Sequence, residues 1–260
     1  MNNPDSLIGG LIGAVRSGQT FIPDGEMLPG TYDAAEEVQD QVLRALDLQA
    51  AGWKLGASNH GSRAGLGLLR PFAGLIPVGG VIPNGASRPI TQFRQPGAEC
   101  ELAVILGKDL PVRSGGYSRS EVLNSVARTI AAIEVPETRF EQLAIHGGLA
   151  LVADNGAAGY AVAGDGVDGA DGLDDMSRRG RLLVDGQVVE EGDMGQLVAR
   201  PSDLLTDHVN RLGERGWAHY SGQVILLGAL APRAALEGPA RVVASVDGLG
   251  DAALHFAAAS

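Results

Sequence analysis

Glu99, Cys100 and Glu101 open an apolar run that continues as Leu102-Ala-Val-Ile-Leu106. Read as a strand, the run has a period of two, which puts both carboxylates on one face and Cys100 on the other. A third acid, Glu134, stands in an equally apolar setting, Ala131-Ala-Ile-Glu-Val135. Carboxylates embedded in segments that otherwise favour burial must be paired, protonated or bound to a metal. Three of them converging would form an all-oxygen site suited to a hard divalent cation, Mg²⁺ or Mn²⁺. The plainer alternative is an edge strand whose polar face meets solvent. Glu137 competes locally with Glu134, but it follows Pro136 and reads as turn.

Lys54 lies in Gly52-Trp-Lys-Leu-Gly56, a stretch of strand character. It reads either as a lysine snorkelling from a strand or as a functional cation. An ammonium beside a bound acid neutralises a carboxylate or enolate oxygen, and partial burial would lower its pKa toward proton transfer. Asp154-Asn-Gly156 reads as a turn. His60, Arg63, His146 and Arg200 are most simply surface or loop residues that also qualify as pocket-lining groups. No Gly-x-Ser-x-Gly elbow is present, and Cys100 faces away from the acids, so Ser or Cys nucleophilic catalysis has little support. No glycine pattern has the strand–turn–helix setting of a nucleotide loop.

The elements that must position these groups fit one domain over 1–260, with a mainly helical region over 1–51. A formal charge of −11 repels polyanions, which argues against nucleic acid as a partner. A small anionic substrate stays compatible, because a bound divalent cation inverts the local potential. The single cysteine excludes an intrachain disulfide and a cysteine-rich zinc site. Leu7–Val15 is apolar but too short to span a membrane, so no membrane partner is expected and the cytoplasm is the default location.

Along the chain, a first helix runs to about Gln19, and Asp33 with Glu36 fits a capping box for a second that carries Val38, Val42, Leu43 and Leu46. Residues 57–96 read as an irregular Gly/Pro/Asn-rich segment of the kind that forms lids or substrate-binding regions. Ser118 and Glu121 fit a second capping box, and the helix they start carries Val122, Leu123, Val126 and Ile130. Residues 164–175 read as a solvated acidic loop. Asp185-Gly186 is the turn of a hairpin over Leu182–Val189, and Pro201 and Ser202 introduce a late helix. Strands follow at 224–227 and 241–246. Strands this numerous with so few helices disfavour a Rossmann or barrel layout and predict an α+β domain with a mixed, coiled β core.

Taken together, these motifs resemble the hydratase/decarboxylase branch of the fumarylacetoacetate hydrolase superfamily, nearly end to end. Gly52-Trp-Lys-Leu-Gly56 matches that branch's Gly-x-Lys-Ile-Gly, Glu99-Cys-Glu101 its Glu-x-Glu, and Ala132-Ile-Glu-Val135 its Ala-(Leu/Ile)-Glu-Val. Ala153-Asp-Asn155 and Ser221–Leu230 complete the series. The resemblance implies a β-roll fold, a homo-oligomer, and Mg²⁺ or Mn²⁺ held by Glu99, Glu101 and Glu134. It implies small 2-keto or 2-hydroxy-dienoate acids as substrates. It also makes Lys54 and Asp154 catalytic candidates, with Asn155, His60, Arg63 and Arg200 as substrate-binding candidates. Hydration of a 2-keto-4-pentenoate-type acid is the activity implied first, and decarboxylation of a 4-oxalocrotonate-type acid second. An isomerase, a cyclase or a noncatalytic binder is a third reading. Where the family has Asp-Asn-Ala-Ser this chain has Asp154-Asn-Gly-Ala157, and where it has Gly-His-Pro this chain has Ala199-Arg-Pro201. The metal platform is kept and the substrate wall is changed.

Overall fold

Aliphatic residues recur every second position along most strands, and the computed structural model, which describes residues 4–259, gathers those strands into two mixed sheets. The larger sheet contains β1 (Ala50–Gly56), β2 (Phe72–Pro77), β3 (Val81–Ile82), β5 (Gly97–Leu106), β6 (Val126–Val135), β7 (Tyr160–Asp168) and β10 (Val224–Ala235). Its order is β2-β1-β10-β5-β6-β7-β3. The second contains β4 (Ser87–Pro89), β8 (Arg179–Val184), β9 (Gln187–Asp193), β11 (Ala240–Val246) and β12 (Gly250–Ala257), in the order β4-β12-β11-β8-β9.

Cys100, Leu102, Ile133 and Leu227 of the larger sheet pack against Leu182, Val242, Leu254 and Phe256 of the smaller. The larger sheet curls, so its other face is also buried, by Ala103, Ile130, Ala132, Ala161, Val224 and Leu226. Burial on both faces explains why β5 reads as a continuous apolar run. Glu101 and Glu134, in the middle of this sheet, are therefore withdrawn from water.

Helices α1 (Pro4–Ser17), α2 (Tyr32–Ala45) and α5 (Gly147–Ala153) form a second apolar cluster through Leu7, Leu11, Val38, Val42 and Ala150. Arg215, just past α6 (Pro201–Glu214), ties this layer down through Glu36 Oε1 at 3.2 Å and Asp40 Oδ1 at 2.5 Å. No described helix is long and apolar enough to cross a membrane.

Several local expectations are corrected. The cap of α2 is Thr31, which accepts from Ala34 N at 3.2 Å. The side chain of Glu36 is instead engaged by Arg70 and Arg215. The Ser118–Glu121 capping box is present, but helix α4 (Arg119–Leu123) stops at Leu123, and Val126 and Ile130 belong to β6. The spacing fits a helical stripe, but the ladder to β5 makes both residues strand, and its register shift between Ile105 and Leu106 sets Val126 toward the inter-sheet core and Ile130 toward the other face. Residues 57–96 are not irregular throughout: they hold α3 (His60–Gly65), β2, β3 and β4, with β2 paired to β1 and β4 to β12. Residues 164–168 are strand rather than loop. The hairpin turn has φ of 48° at Asp185 and 82° at Gly186, the two positive values of a type I′ turn.

Candidate metal centre

The antiparallel register of β5 and β6 sets Glu99 directly opposite Glu134 and Glu101 opposite Ala132. Ala161 faces Glu134 from β7, and Ala229 faces Glu101 from β10. Small partners leave volume above the carboxylates, so the three acids turn toward one another. One ligand oxygen from each lies within 4.8 Å of the others. Glu101 and Glu134 are buried and Glu99 is half-buried. Cys100 faces the inter-sheet core, where burial pushes its thiol up to about 12, a reduced structural cysteine.

Lys54 completes the cluster. In a flat sheet β1 and β6 would lie about 14 Å apart, three strand spacings. The curl brings Lys54 Nζ to 3.0 Å from Glu134 Oε1. The contact is an ion pair without hydrogen-bond geometry, so Glu134 Oε1 is a buried acceptor with no hydrogen-bonded donor. The lysine stem runs beside Gly74 and Gly156, where an added Cβ would stand 3.3 and 3.2 Å from its Cε, and the ammonium lies 5.3 Å from the ring centre of Phe72.

Electrostatics follow from that crowding. Burial, then repulsion from Glu134, raises Glu99 to about 7, despite attraction from Lys54 and Arg233. Burial, then Glu134 and Glu99, also push Glu101 up, although Gly228 N–H donates to its Oε2 at 2.8 Å. For Lys54, burial pulls down, but the combined attraction of Glu134, Glu99 and Glu101 prevails and holds it above the ordinary lysine value. This reverses the lowering anticipated from burial alone. Two buried carboxylates and a half-buried one that repel one another, with a single ammonium between them and neutrality, fit a hard divalent cation held by oxygen ligands.

The other candidates lie elsewhere or have other partners. Asp154 accepts from Thr138 Oγ1 at 2.8 Å and Arg139 N at 2.9 Å, and pairs with Arg139 Nε at 3.3 Å. Asn155 Oδ1 accepts from Leu75 N at 2.8 Å and Gln39 Nε2 at 3.0 Å, while its Nδ2 donates to Leu75 O at 2.9 Å. Both therefore fix the loop that brings Gly156 against Lys54. His60 and Arg63 lie on α3, and Arg200 precedes α6. Clefts of about 500 and 360 Å³ open beside Arg113 and Tyr117 and beside Arg94, Arg139 and Asn155, and neither is lined by Glu99, Glu101 or Glu134.

Three residues that the sequence analysis gave no role, Gly228 within the Ser221–Leu230 motif among them, adjoin the cluster. Gly228, with φ of 150°, supplies the N–H to Glu101, and a Cβ there would collide with the buried Ser58 hydroxyl and approach Leu197 Cδ2 to 2.8 Å. Arg233 lies over Gly97 and acts electrostatically on Glu99. Glycine carries no side-chain signal, and Ser58 and Arg233 sit outside any metal-binding spacing.

The fumarylacetoacetate (FAA) hydrolase C-terminal family model matches residues 68–256. The chain is 25% identical over 260 residues to a 2-keto-4-pentenoate hydratase from Burkholderia vietnamiensis, covering 98% of each. It is 23% identical to a 4-oxalocrotonate decarboxylase from Pseudomonas putida, covering 87% of this chain and 86% of that one. A solved 4-oxalocrotonate decarboxylase from Pseudomonas putida G7, complexed with magnesium and adipate, superposes with a TM-score of 0.83 at 20% identity, over 97% of this chain and 96% of that one. The same β-roll thus recurs at an identity where little beyond the fold is shared. With that fold, the family model and the ordered glutamate motifs in agreement, the chain belongs to the hydratase/decarboxylase branch of the fumarylacetoacetate hydrolase superfamily.

Proposed function

We propose that the protein is a divalent-metal-dependent lyase acting on a small 2-keto or 2-hydroxy-dienoate acid, with hydration as its reaction. The observation that carries this reading is the convergence of Glu99, Glu101 and Glu134 beside the buried Lys54. The three glutamates would hold Mg²⁺ or Mn²⁺, which when bound polarises a 2-keto oxygen and stabilises negative charge developing there. Related structures described as complexes with magnesium and adipate, and with Mn²⁺ and pyruvate, support that choice of ion and ligand class.

The chain's own groups supply the rest. Gly228 N–H orients Glu101 and so fixes where its other oxygen points. Lys54 holds a proton at Nζ next to the acids, placed to pass it to a substrate carbon or oxygen. Asp154 and Asn155 act as positioning residues for the Gly156 backbone that packs on Lys54. The buried apolar wall of Ala132, Ala161 and Leu226 limits bulk water, so proton movement stays with the protein groups. His60, Arg63 and Arg200 are proposed as outer groups that meet the substrate's far end. The active form is proposed to be a homo-oligomer.

Decarboxylation is the second reading, favoured by the charge of Arg233 next to Glu99. The test is incubation with 2-hydroxypenta-2,4-dienoate and with 4-oxalocrotonate, with Mg²⁺ or with EDTA, following the ultraviolet dienol signal and CO₂. Metal-dependent loss of the dienol, absent in Glu101→Ala, supports the lyase, and CO₂ release marks decarboxylation. No turnover of either compound with metal present overturns both readings.

A further inference from the structure

The buried stripe of α6 runs through Leu204, Leu205, His208, Val209 and Leu212, so an imidazole stands where the helical period calls for an aliphatic side chain. A second, His219, comes from the strap that follows the helix and pairs by its backbone with Leu110. Both are buried, as is Trp53 of β1, which alternation puts on the face of the strand opposite Lys54. The three ring centres form a triangle, 5.1 Å between the histidines and 6.0 and 5.9 Å from Trp53 to His208 and His219. Four of their ring nitrogens, Trp53 Nε1, His208 Nε2 and both of His219, have no hydrogen-bond partner among the described residues. An apolar core tolerates such groups only while the rings are uncharged.

The charged groups around the triangle offer an imidazolium no counter-ion. Glu36, Asp207, Arg211 and Arg215 line a cavity of about 20 Å³ beside His208, room for one water. Arg215 holds Glu36 and Asp40, and Arg211 lies 3.7 Å from Asp207. Asp40 also accepts from Trp217, whose ring stacks under Arg44 and lies 5.7 Å from that of Trp53. Lys108 and Asp109, in the turn before Leu110, are exposed, and Asp109 accepts from Ser221 N at 2.8 Å. Lys54 turns the other way, to Glu134. Each of these acids is already engaged.

We propose that His208 and His219 form an acid-sensitive latch: neutral, they seat α6 and the strap over 217–223 on the back of β1, and protonated, they release both. Burial holds His219 down at about 4, and burial, then His219 and Arg215, hold His208 down. A released ring returns to the ordinary value of 6.5, so below that pH protons favour the released form. Each histidine shifts the balance by up to roughly tenfold per pH unit, and the two together by roughly a hundredfold. Release removes the backing of β1, the strand that presents Lys54, so acid loosens the candidate site from behind. The latch needs neither metal nor substrate and is independent of the lyase reading.

The test is hydrogen exchange of the full metal-free chain from pH 7.5 to 5, corrected for the intrinsic pH dependence of exchange, with tryptophan fluorescence alongside. Protection in α6 and 217–223 is expected to fall roughly tenfold or more per pH unit below about 6.5, ahead of any change in β5 and β6. Emission from Trp53 and Trp217 is expected to move to the red over the same range. His219→Phe should reduce the slope to that of one histidine, and His208→Gln with His219→Phe should abolish it. Protection in α6 that stays level in the wild type down to pH 5, or that falls only in step with β5 and β6, overturns the proposal. A slope in His219→Phe as steep as the wild type's overturns it as well.

Discussion

Acidification should strip the divalent cation from the three-glutamate cluster with a proton count that can be worked out in advance. In the metal-free chain, burial and the neighbouring acids hold Glu99 at about 7 and push Glu101 up as well. A cation entering below that pH must displace protons from carboxylates that an ordinary site would already present ionised. Each displaced proton weakens apparent affinity roughly tenfold per pH unit below about 7, or about 1.4 kcal/mol. With one proton, affinity at pH 6 should be about a tenth of that at pH 7, and with two the loss approaches a hundredfold. For the metal-free fold the sign is opposite. Carboxylates whose folded-state pKa is raised favour the metal-free fold at low pH, below their unfolded value, and that contribution disappears as the pH rises through about 7. Added Mg²⁺ should therefore raise Tm little at pH 5.5 and increasingly toward pH 8. Titration calorimetry in two buffers of different ionisation heat counts the protons directly, and about one or more should leave per Mg²⁺ bound at pH 6. An affinity that stays flat between pH 5.5 and 8, with no proton release, would refute the reasoning.

Three further outcomes follow from single contacts. Lys54→Met removes the ammonium 3.0 Å from Glu134; turnover of the dienoate should fall by about 10²–10⁴-fold while Mg²⁺ affinity is unchanged or tighter, read by stopped assay and calorimetry on one preparation. Gly228→Ala forces a Cβ against Ser58 and disturbs the N–H that orients Glu101; it should cost about 1–3 kcal/mol in denaturant unfolding and weaken Mg²⁺ binding, and an unaltered Kd would show that this N–H does not organise the centre. Burial pulls His219 down to about 4, and burial with His219 pulls His208 down; both contribute stability that is complete above the ordinary histidine value of 6.5 and lost on acidification, for His219 as the pH falls toward 4. For His219 alone this amounts to about 3 kcal/mol, and a His219→Phe variant whose unfolding free energy declines as steeply over that range would contradict the assignment.

The residues of the candidate site are more legible in the sequence than the architecture that joins them. Alternation marks Glu99 and Glu101 as neighbours on one strand face, since a two-residue spacing is local information. Glu134 shares no spacing with them, and its place opposite Glu99 is a consequence of β5–β6 register. The contact from Lys54 depends on curvature of the sheet, a property of the whole strand set rather than of any segment. Where sequence reasoning went astray, a helical spacing concealed a strand. Val122, Val126 and Ile130 are spaced for a helix, yet the last two belong to β6, on opposite faces across a register shift against β5. In residues 57–96, glycine and proline hid strands as short as Val81–Ile82, held in place by pairing with β7. Asp154 and Asn155 were visible as polar residues at a turn, but their commitments to Thr138, Arg139, Gln39 and Leu75 come from elements far away in the chain. The Gly228 N–H and the Arg233 guanidinium owe their positions to irregularities in β10 that residue type does not encode.

The most direct test of the metal centre is a Mn²⁺ titration followed by electron paramagnetic resonance, on the wild type and on Glu99→Gln, Glu101→Gln and Glu134→Gln. The account predicts one tightly bound Mn²⁺ per chain, a bound-ion spectrum altered by pyruvate, and at least a hundredfold weaker binding in each variant. Mn²⁺ that fails to bind the wild type, or that binds all three variants as tightly, would contradict it.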